Sequence, residues 1–149
     1  MLKTRRGGCH CGDVRFECEI DLAPEGQRSP PPRPGIWWTT TFRCNCTFCR
    51  KTRMWKVFTT PERFRVTQGE EKLVEYRHGA CEIQHVFCGR CGLHPFARAS
   101  FEPLGGDFVC VNIACLDDVD PQELEATPIV YEDGINDAYD VAPRFTGYL

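Results

Sequence analysis

The sequence has no long apolar segment. Its longest apolar run, FVCVNIACL at 108–116, is nine residues long and is interrupted by Asn112. A transmembrane helix needs about 20 consecutive apolar residues, so this run is too short to span a bilayer. The first residues, MLKTRRGG, are basic but lack the apolar region of a secretory signal peptide. We therefore expect a cytoplasmic protein without a membrane partner.

The chain also has no excess of basic residues. The chain has 18 Lys and Arg residues against 21 Asp and Glu, with a net charge of −3 and a pI of about 5.8. Because domains that bind nucleic acid broadly are usually basic, nucleic acid is not an expected partner. The 149 residues, 26% charged and 42% hydrophobic, show no useful internal repeat and indicate one globular domain over 1–149.

Cysteine, in contrast, is abundant, with 11 in the chain. An odd number cannot be paired entirely in disulfides, and a cytoplasmic location disfavours a disulfide framework. Several cysteines stand in short Cys-x-Cys and Cys-x-x-Cys spacings, which are typical of metal binding. The sequence therefore predicts a metal-binding protein rather than a disulfide-linked one.

The pattern of apolar residues predicts a mainly β fold with short strands and little helix. In DVRFECEI at 13–20, every second residue is apolar, so Cys18 is expected in the core rather than at a metal. The run DFVCVNIACL at 107–116 predicts a central strand with Cys110 and Cys115 packed inside. Further strands are predicted within 36–44, 54–60, 64–69, 72–79 and 82–88.

Helix and loop are each predicted at one place. DPQELEA at 120–126 begins with Asp120 as a cap and Pro121 in the first helical position, and Glu123 comes close to completing a capping box. A proline-rich loop is expected at about 21–35, because proline is excluded from inner strands and helix interiors. The tail from residue 131 onward has only a weak pattern.

Two distant cysteine pairs form the first candidate metal site. Cys9 and Cys11 stand before one predicted strand, and Cys88 and Cys91 stand at the end of another. Four thiolates complete the tetrahedral coordination of a structural zinc, so this set predicts a closed structural site. The alternative is two unrelated thiol pairs.

Cys44, Cys46 and Cys49 form the second candidate site, with one ligand fewer than zinc normally takes. A coordination position left for water or substrate is typical of a catalytic zinc. Alternatively, another side chain fills the position and the site is structural. The candidates for that fourth ligand are His85, His94, His10 and Cys81.

Basic and aromatic residues surround this second site in the sequence. In one interpretation, the basic residues form a solvated face and the tryptophans are part of the core. In the other, these residues bind substrate, because arginine is well suited to binding carboxylates. Arg50, Lys51 and Trp55 are the substrate-binding candidates. The other members of the group are Arg43, Arg53, Lys56, Trp37 and Trp38.

Three motifs, GGCHCGDVRF (7–16), CNCTFCRK (44–51) and FCGRCGLHPF (87–96), resemble the glutathione-dependent formaldehyde-activating enzyme family, which includes centromere protein V. The resemblance implies a β-tent fold of small antiparallel sheets around two zinc ions. It implies a structural zinc at the four-cysteine set Cys9, Cys11, Cys88 and Cys91, and a second zinc at the substrate site on Cys44, Cys46 and Cys49. The implied activity is that of a carbon–sulfur lyase that makes and breaks S-hydroxymethylglutathione from formaldehyde and glutathione.

The sequence also departs from the family pattern. Many relatives follow the Cys-Arg-Lys stretch with Ser-Gly, whereas this chain carries Met54 and Trp55 nearby and has the proline-rich segment. His94 or His85 is a candidate to move the proton, because histidine titrates near neutral pH. The alternatives to an enzyme are a zinc-scaffolded module that binds protein or nucleic acid, and a redox role for the three-cysteine set.

Overall fold

The computed structural model describes residues 1–22, 41–80, 82–102 and 105–149. From residue 23 onward the predicted proline-rich loop lies outside these ranges, as do Trp37, Trp38 and Cys81. The described residues form ten strands and two short α-helices, so the mainly β prediction is confirmed. The extent of the domain, 1–149, stays a prediction.

The elements are numbered in chain order. The strands are β1 (Lys3–Gly8), β2 (Arg15–Ile20), β3 (Thr41–Cys44), β4 (Lys56–Thr59), β5 (Phe64–Gln68), β6 (Leu73–Tyr76), β7 (Ile83–Cys88), β8 (Phe96–Phe101), β9 (Gly106–Asn112) and β10 (Ile129–Glu132). The helices are α1 (Thr47–Thr52) and α2 (Pro121–Ala126). Among the described residues, no helix has the length and apolar character needed to cross a bilayer.

A small antiparallel sheet has the strand order β1-β2-β5. Along β2, the side chains of Phe16, Cys18 and Ile20 are buried, while the residues between them are partly or fully exposed. This period-two pattern places one face of the sheet on the core, as the sequence predicts. Cys18 is therefore confirmed as a core residue.

A larger sheet has the strand order β10-β3-β4-β9-β8-β7-β6. All neighbours are antiparallel except β10 and β3, which run parallel. The middle strand is β9, which confirms the predicted central strand. Its side chains are buried on both faces, with Val109 and Val111 in the core toward the small sheet and Phe108 and Cys110 in a second apolar cluster.

Helix α2 begins as the sequence predicts, because the Asp120 side chain accepts a hydrogen bond from the amide of Gln122 at 2.7 Å. Glu123 does not complete the capping box. Its carboxylate instead accepts hydrogen bonds from Arg5 and from Lys3, both on β1. The residue therefore ties the helix to the small sheet rather than closing the first turn.

The C-terminal tail is more ordered than its weak pattern indicates. Residues 129–132 form β10, which pairs in parallel with β3 and brings Glu132 beside Cys44. The next residues turn back, with the amide of Asp133 donating to the carbonyl of Ala138 at 3.2 Å. The tail thus reaches the three-cysteine segment, which begins at Cys44, the last residue of β3.

Candidate metal centre

The structure brings the four cysteines of the first candidate site together. The sulfur atoms of Cys9, Cys11, Cys88 and Cys91 all lie within 4.8 Å of one another. Cys11 Sγ lies 3.4 Å from Cys9 Sγ and 3.6 Å from Cys88 Sγ. These separations are too long for disulfides and close to the roughly 3.8 Å between sulfurs of a tetrahedral zinc site with 2.3 Å bonds.

The turn between β1 and β2 presents the first two sulfurs. The amide of Cys9 donates to the carbonyl of Val14 at 3.0 Å, and the amide of Val14 donates to Cys9 Sγ at 3.2 Å. Gly12 has a φ of 83°, a conformation that glycine adopts without strain. An amide aimed at sulfur favours the thiolate, which is the form that binds metal.

A second turn of the same construction presents the other two sulfurs. The amide of Cys88 donates to the carbonyl of Leu93, and the amide of Gly92 donates to the carbonyl of Cys88, both at 2.9 Å. Gly92 has a φ of 73° and follows Cys91 directly. The two turns therefore place four thiols in one cluster although 77 positions separate Cys11 from Cys88.

The electrostatics of this cluster fit a cation. Hydrogen bonds from the backbone at Cys11 and Leu93 lower the pKa of Cys91 to about 6. At Cys11 the backbone at Asp13 favours the thiolate, but burial and the neighbouring sulfurs outweigh it and raise its pKa to about 12. Crowded thiols oppose one another's ionisation, and a divalent ion relieves that conflict.

The three-cysteine set is also assembled. Cys44 ends β3, Cys46 caps α1 and Cys49 lies in its first turn, and the three sulfurs lie within 4.8 Å of one another. The amide of Cys46 donates to Cys44 Sγ at 3.3 Å, and the amide of Cys49 donates to Cys46 Sγ at 3.4 Å. Contact with the other two sulfurs lowers the pKa of Cys46 and raises that of Cys49. This donor set also fits a thiophilic ion.

No fourth histidine, cysteine or carboxylate joins the three sulfurs within the described parts of the chain. His10 is exposed, whereas His85 and His94 are buried elsewhere. Cys81 lies outside the described residues. The three histidine candidates for the fourth ligand are therefore not gathered with the cluster.

The C-terminal tail closes one side of the three-cysteine set, which the sequence does not indicate. The Asn45 amide donates to Asp133 Oδ1 at 2.6 Å and accepts from the amide of Ile135 at 3.0 Å. A Cβ atom on Gly134 would lie 2.5 Å from Cys44 Sγ, so only glycine allows this close approach. The surroundings of the three-cysteine set are therefore formed by two distant segments.

A buried ion pair lies beside the same set. Lys56 Nζ lies 2.5 Å from Glu132 Oε2, and the two side chains are only 11% and 4% exposed. Lys56 and Glu132 belong to the two strands that flank β3, which carries Cys44. Burial opposes the ammonium charge, but Glu132 and the thiols of Cys49, Cys110 and Cys44 raise the pKa of Lys56 well above its usual value. A fixed positive charge thus offsets the negative charge of nearby thiolates.

The predicted substrate-binding residues occupy different surroundings. Arg50 and Lys51 are exposed in the last turn of α1, with no described ion pair to hold them. Trp55 is half-buried against the main core, and its indole N–H donates to Thr41 Oγ1 at 2.9 Å. The Arg43 guanidinium lies 5.3 Å from the Trp55 ring. Among the described members of the predicted group, Arg50, Lys51 and Arg53 are the exposed ones.

A small cavity adjoins the three-cysteine set. Its volume is about 10 Å³, roughly the space that one water molecule needs. Met54, which departs from the family pattern, is buried and lines it, so this residue limits the space beside the sulfurs. The lining consists of Arg43, Cys44, Cys49, Arg50, Arg53, Met54 and Leu149.

A pair of buried histidines lies next to α1. His85 and His94 are each 5% exposed, with ring centroids 5.3 Å apart. The Phe48 ring, between Cys46 and Cys49 in sequence, stacks on His85 at 3.7 Å. Burial, together with the charges of His78 and Lys56, lowers the pKa of His85 to about 4, and burial with His85 does the same for His94.

These two histidines predict a loss of stability in acid. Between pH about 6.5 and about 4, each imidazole is neutral in the folded protein but takes up a proton in the unfolded chain. The unfolded state then binds more protons, so the free energy of unfolding decreases as the pH falls through this window. Urea unfolding at pH 7 and pH 5 should show a smaller difference in the double variant His85→Gln/His94→Gln than in the unmodified protein.

The matched control replaces one exposed histidine that does not contact the pair, His10→Gln. It should keep the full pH dependence, because it leaves the buried pair unchanged and acid protonation of the cysteines affects all three proteins alike. A buried-pair variant with an unchanged pH dependence would contradict the prediction.

A mainly β chain that gathers seven cysteines into a four-sulfur and a three-sulfur cluster has the construction of a protein that can hold two metal ions. Residues 32–133 match the model of the glutathione-dependent formaldehyde-activating enzyme family, and the chain belongs to that family. Membership supports a function that involves glutathione and formaldehyde. The matched range includes the three-cysteine set and the pair Cys88 and Cys91, but begins after Cys11.

The fold is also similar to that of a solved protein. A structural-genomics crystal structure of a Rhodobacter sphaeroides protein matches this chain with a TM-score of 0.60 and 27% sequence identity. The match covers 84% of this chain and 99% of that one, so the similarity extends over most of both molecules.

Proposed function

We propose that the protein is a zinc-dependent carbon–sulfur lyase that makes or breaks a glutathione–formaldehyde adduct of the S-hydroxymethylglutathione type. The observation that carries the proposal is the three-sulfur set of Cys44, Cys46 and Cys49, to which no fourth metal-ligating side chain of the described chain is added. Together with family membership, this arrangement favours a site where a small-molecule thiol completes the coordination.

The two clusters have different proposed roles. Cys9, Cys11, Cys88 and Cys91 would hold one zinc ion and join two distant turns, which is a structural role. Cys44, Cys46 and Cys49 would hold the second ion on the reaction side. When bound there, zinc supplies Lewis-acid stabilisation of a thiolate. The thiol-rich composition suits a reducing compartment, so the proposed location is the cytoplasm.

Side chains around the three-cysteine set have complementary roles in this proposal. Arg50 and Lys51, exposed at the end of α1, would bind the carboxylates of glutathione. Lys56 balances thiolate charge from within the protein, where water cannot screen it. Trp55, packed against Thr41 and Arg43, would form an apolar wall of the site. His94 is the residue proposed to move the proton in the reaction.

Replacing Cys46 by alanine should separate the two clusters. We expect a folded protein that binds one zinc ion instead of two and has lost turnover of S-hydroxymethylglutathione, because two sulfurs hold zinc poorly. Metal analysis, circular dichroism and a formaldehyde-release assay measure the three properties. The matched control is Cys18→Ala, which removes a buried thiol outside both clusters and should keep both ions. Unchanged turnover in the Cys46 variant would refute the proposed role.

A further inference from the structure

Two arginines next to the three-cysteine set bind backbone oxygens instead of acidic side chains. Arg43 Nη1 donates to the backbone oxygen of Leu149 at 2.6 Å, and Arg53 Nη1 donates to the backbone oxygen of Tyr148. Among the described residues, neither guanidinium forms an ion pair with a side-chain carboxylate. A carboxylate binds a guanidinium more strongly than a backbone oxygen, because its hydrogen bonds are charge-assisted and often paired.

One small cavity connects the two arginines to the sulfurs. Its wall includes Cys44 and Cys49 of the three-cysteine set, both arginines, and Leu149, and its volume is about 10 Å³. Because the space is so small, the residues on its wall lie close together. A ligand with sulfur at the cysteines and a carboxylate at the arginines therefore needs only the length of a small molecule.

Arg43 is held in a fixed orientation and has hydrogen-bonding capacity in reserve. Its guanidinium lies 5.3 Å from the Trp55 ring, and its Nε is buried with no hydrogen-bond partner in the described part of the chain. Buried polar atoms are normally paired. Since arginine has more N–H donors than the contact with Leu149 uses, this side chain can bind further ligand oxygens.

Arg53 adopts a backbone conformation that is unfavourable for its residue type. It ends α1 as the C-cap, with a φ of 55° and a ψ of 32°, in the left-handed region where glycine is the usual residue. Strained residues of this kind cluster at binding sites. The position at the end of α1 thus carries a guanidinium beside the three-cysteine set, at a cost in backbone strain that glycine would avoid.

Residues 146–149 form a turn that covers these arginines. The amide of Leu149 donates to the carbonyl of Thr146 at 3.0 Å, and Tyr148 is 41% exposed. A Cβ atom on Gly147 would meet no described atom within 4 Å beyond its chain neighbours. Apart from the half-buried Leu149, the turn therefore buries little apolar surface, and a charged ligand can displace it at low cost.

We propose that Arg43 and Arg53 form a carboxylate site for the thiol substrate, and that residues 148–149 cover this site until a substrate carboxylate displaces them. The inference rests on the proposed function, because it assigns the sulfur of glutathione to the cysteines and one of its two carboxylates to these arginines. Several bonds separate the two groups in glutathione, so one molecule reaches both. The exposed Arg50 and Lys51 bind the other carboxylate. The site thus selects thiols that carry a carboxylate.

Fluorotyrosine labelling tests the displacement directly, because the chain has only four tyrosines. In the zinc-loaded protein, glutathione should shift and narrow the ¹⁹F signal of Tyr148, which the variant Tyr148→Phe assigns. S-Methylglutathione, which keeps both carboxylates, should do the same. Glutathione diethyl ester, which has the thiol but no free carboxylate, should leave the signal unchanged. No change with glutathione, or an equal change with the diester, would overturn the inference.

The cobalt-substituted protein tests the proposed function separately. If a thiol reaches the three-cysteine set, glutathione and its diester should both change the visible absorption of cobalt. A cobalt response without a Tyr148 response would leave the proposed function standing and reject the covered carboxylate site. A Tyr148 response to S-methylglutathione without a cobalt response to either thiol would support the carboxylate site and reject the thiol site.

The ratio of the affinities for glutathione and its diester provides the quantitative measure. Arg53→Gln should lower this ratio about tenfold, because a charge-assisted hydrogen bond is lost. Leu149→Ala should instead tighten glutathione binding, because it weakens the competing cover. The matched control is Arg63→Gln, which removes an exposed arginine outside the cavity wall and should change neither affinity.

The two variants have opposite expected effects, which separates the proposed site from a structural role. If the contacts only stabilise the fold, Arg53→Gln would weaken both ligands equally and Leu149→Ala would weaken glutathione. Either result would overturn the inference.

Discussion

Replacing Cys88 by alanine is expected to unfold the protein. Cys88 is 1% exposed and lies in the cluster that joins the turn after β1 to the end of β7. Structural zinc contributes about 10 kcal/mol or more of apparent free energy to small metal-binding domains, and a folded domain has only about 5–15 kcal/mol in total. Loss of this ion therefore removes most of the stability.

Circular dichroism, thermal unfolding and zinc analysis of purified Cys88→Ala protein check this expectation. The control is again Cys18→Ala, because Cys18 is also 1% exposed but packs against apolar side chains instead of sulfurs. It should lower the melting temperature only moderately and keep two ions. If Cys88→Ala remained folded with two zinc ions, the division of the cysteines into a structural and a second set would be wrong.

Replacing Lys56 by methionine should destabilise the protein by about 3–5 kcal/mol, because it leaves a buried carboxylate without its partner. Glu132 is 3% exposed, and Lys56 lies 2.5 Å from it. The thiols of Cys44 and Cys49 add to the effect, since they too lose the nearby positive charge. Urea unfolding in the presence of zinc measures the change in free energy.

A double-mutant cycle with Glu132→Gln separates the two contributions. If only the ion pair matters, the double variant should recover most of the lost free energy of unfolding, because both buried charges are then removed. If Lys56 also balances the thiolates, the double variant should recover only part of it and bind the second zinc ion less tightly. The exposed pair Arg98–Glu70 is the control, for which removal of Arg98 should change stability by less than about 1 kcal/mol. An equal effect at both pairs would contradict the prediction.

The residues of the two predictions, Cys88 and Lys56, differ in how readily the sequence alone identifies their role. The cysteine sets are recognisable because spacing and turn-forming glycines, such as Gly12, are local properties of the chain. Lys56 stands in a basic stretch and is indistinguishable there from the exposed Lys51. Its burial depends on Glu132, which arrives from the far end of the chain. The role of Lys56 can therefore be recognised only from the tertiary structure.

The elements with strong local patterns are those that the sequence identifies correctly. Period-two alternation in β2, the doubly buried run of β9 and the proline-capped start of α2 each follow from neighbouring residues. Three strands, β1, β8 and β10, and helix α1 are not predicted. Strand β10 depends on pairing with the distant β3, and α1 uses the sulfur of Cys46 as its helix cap, whereas β1 and β8 pair with strands that neighbour them in the chain.

By itself, the sequence determined that seven cysteines form two sets, that the fold is mainly β, and that the chain is related to formaldehyde-activating enzymes, because short spacings and alternation encode these features locally. Only the tertiary structure decided what surrounds the three-cysteine set. It placed Gly134 against Cys44, paired Lys56 with Glu132, and packed His85 and His94 against Phe48. These contacts join segments that are far apart in the chain, and close packing rather than local preference selects them.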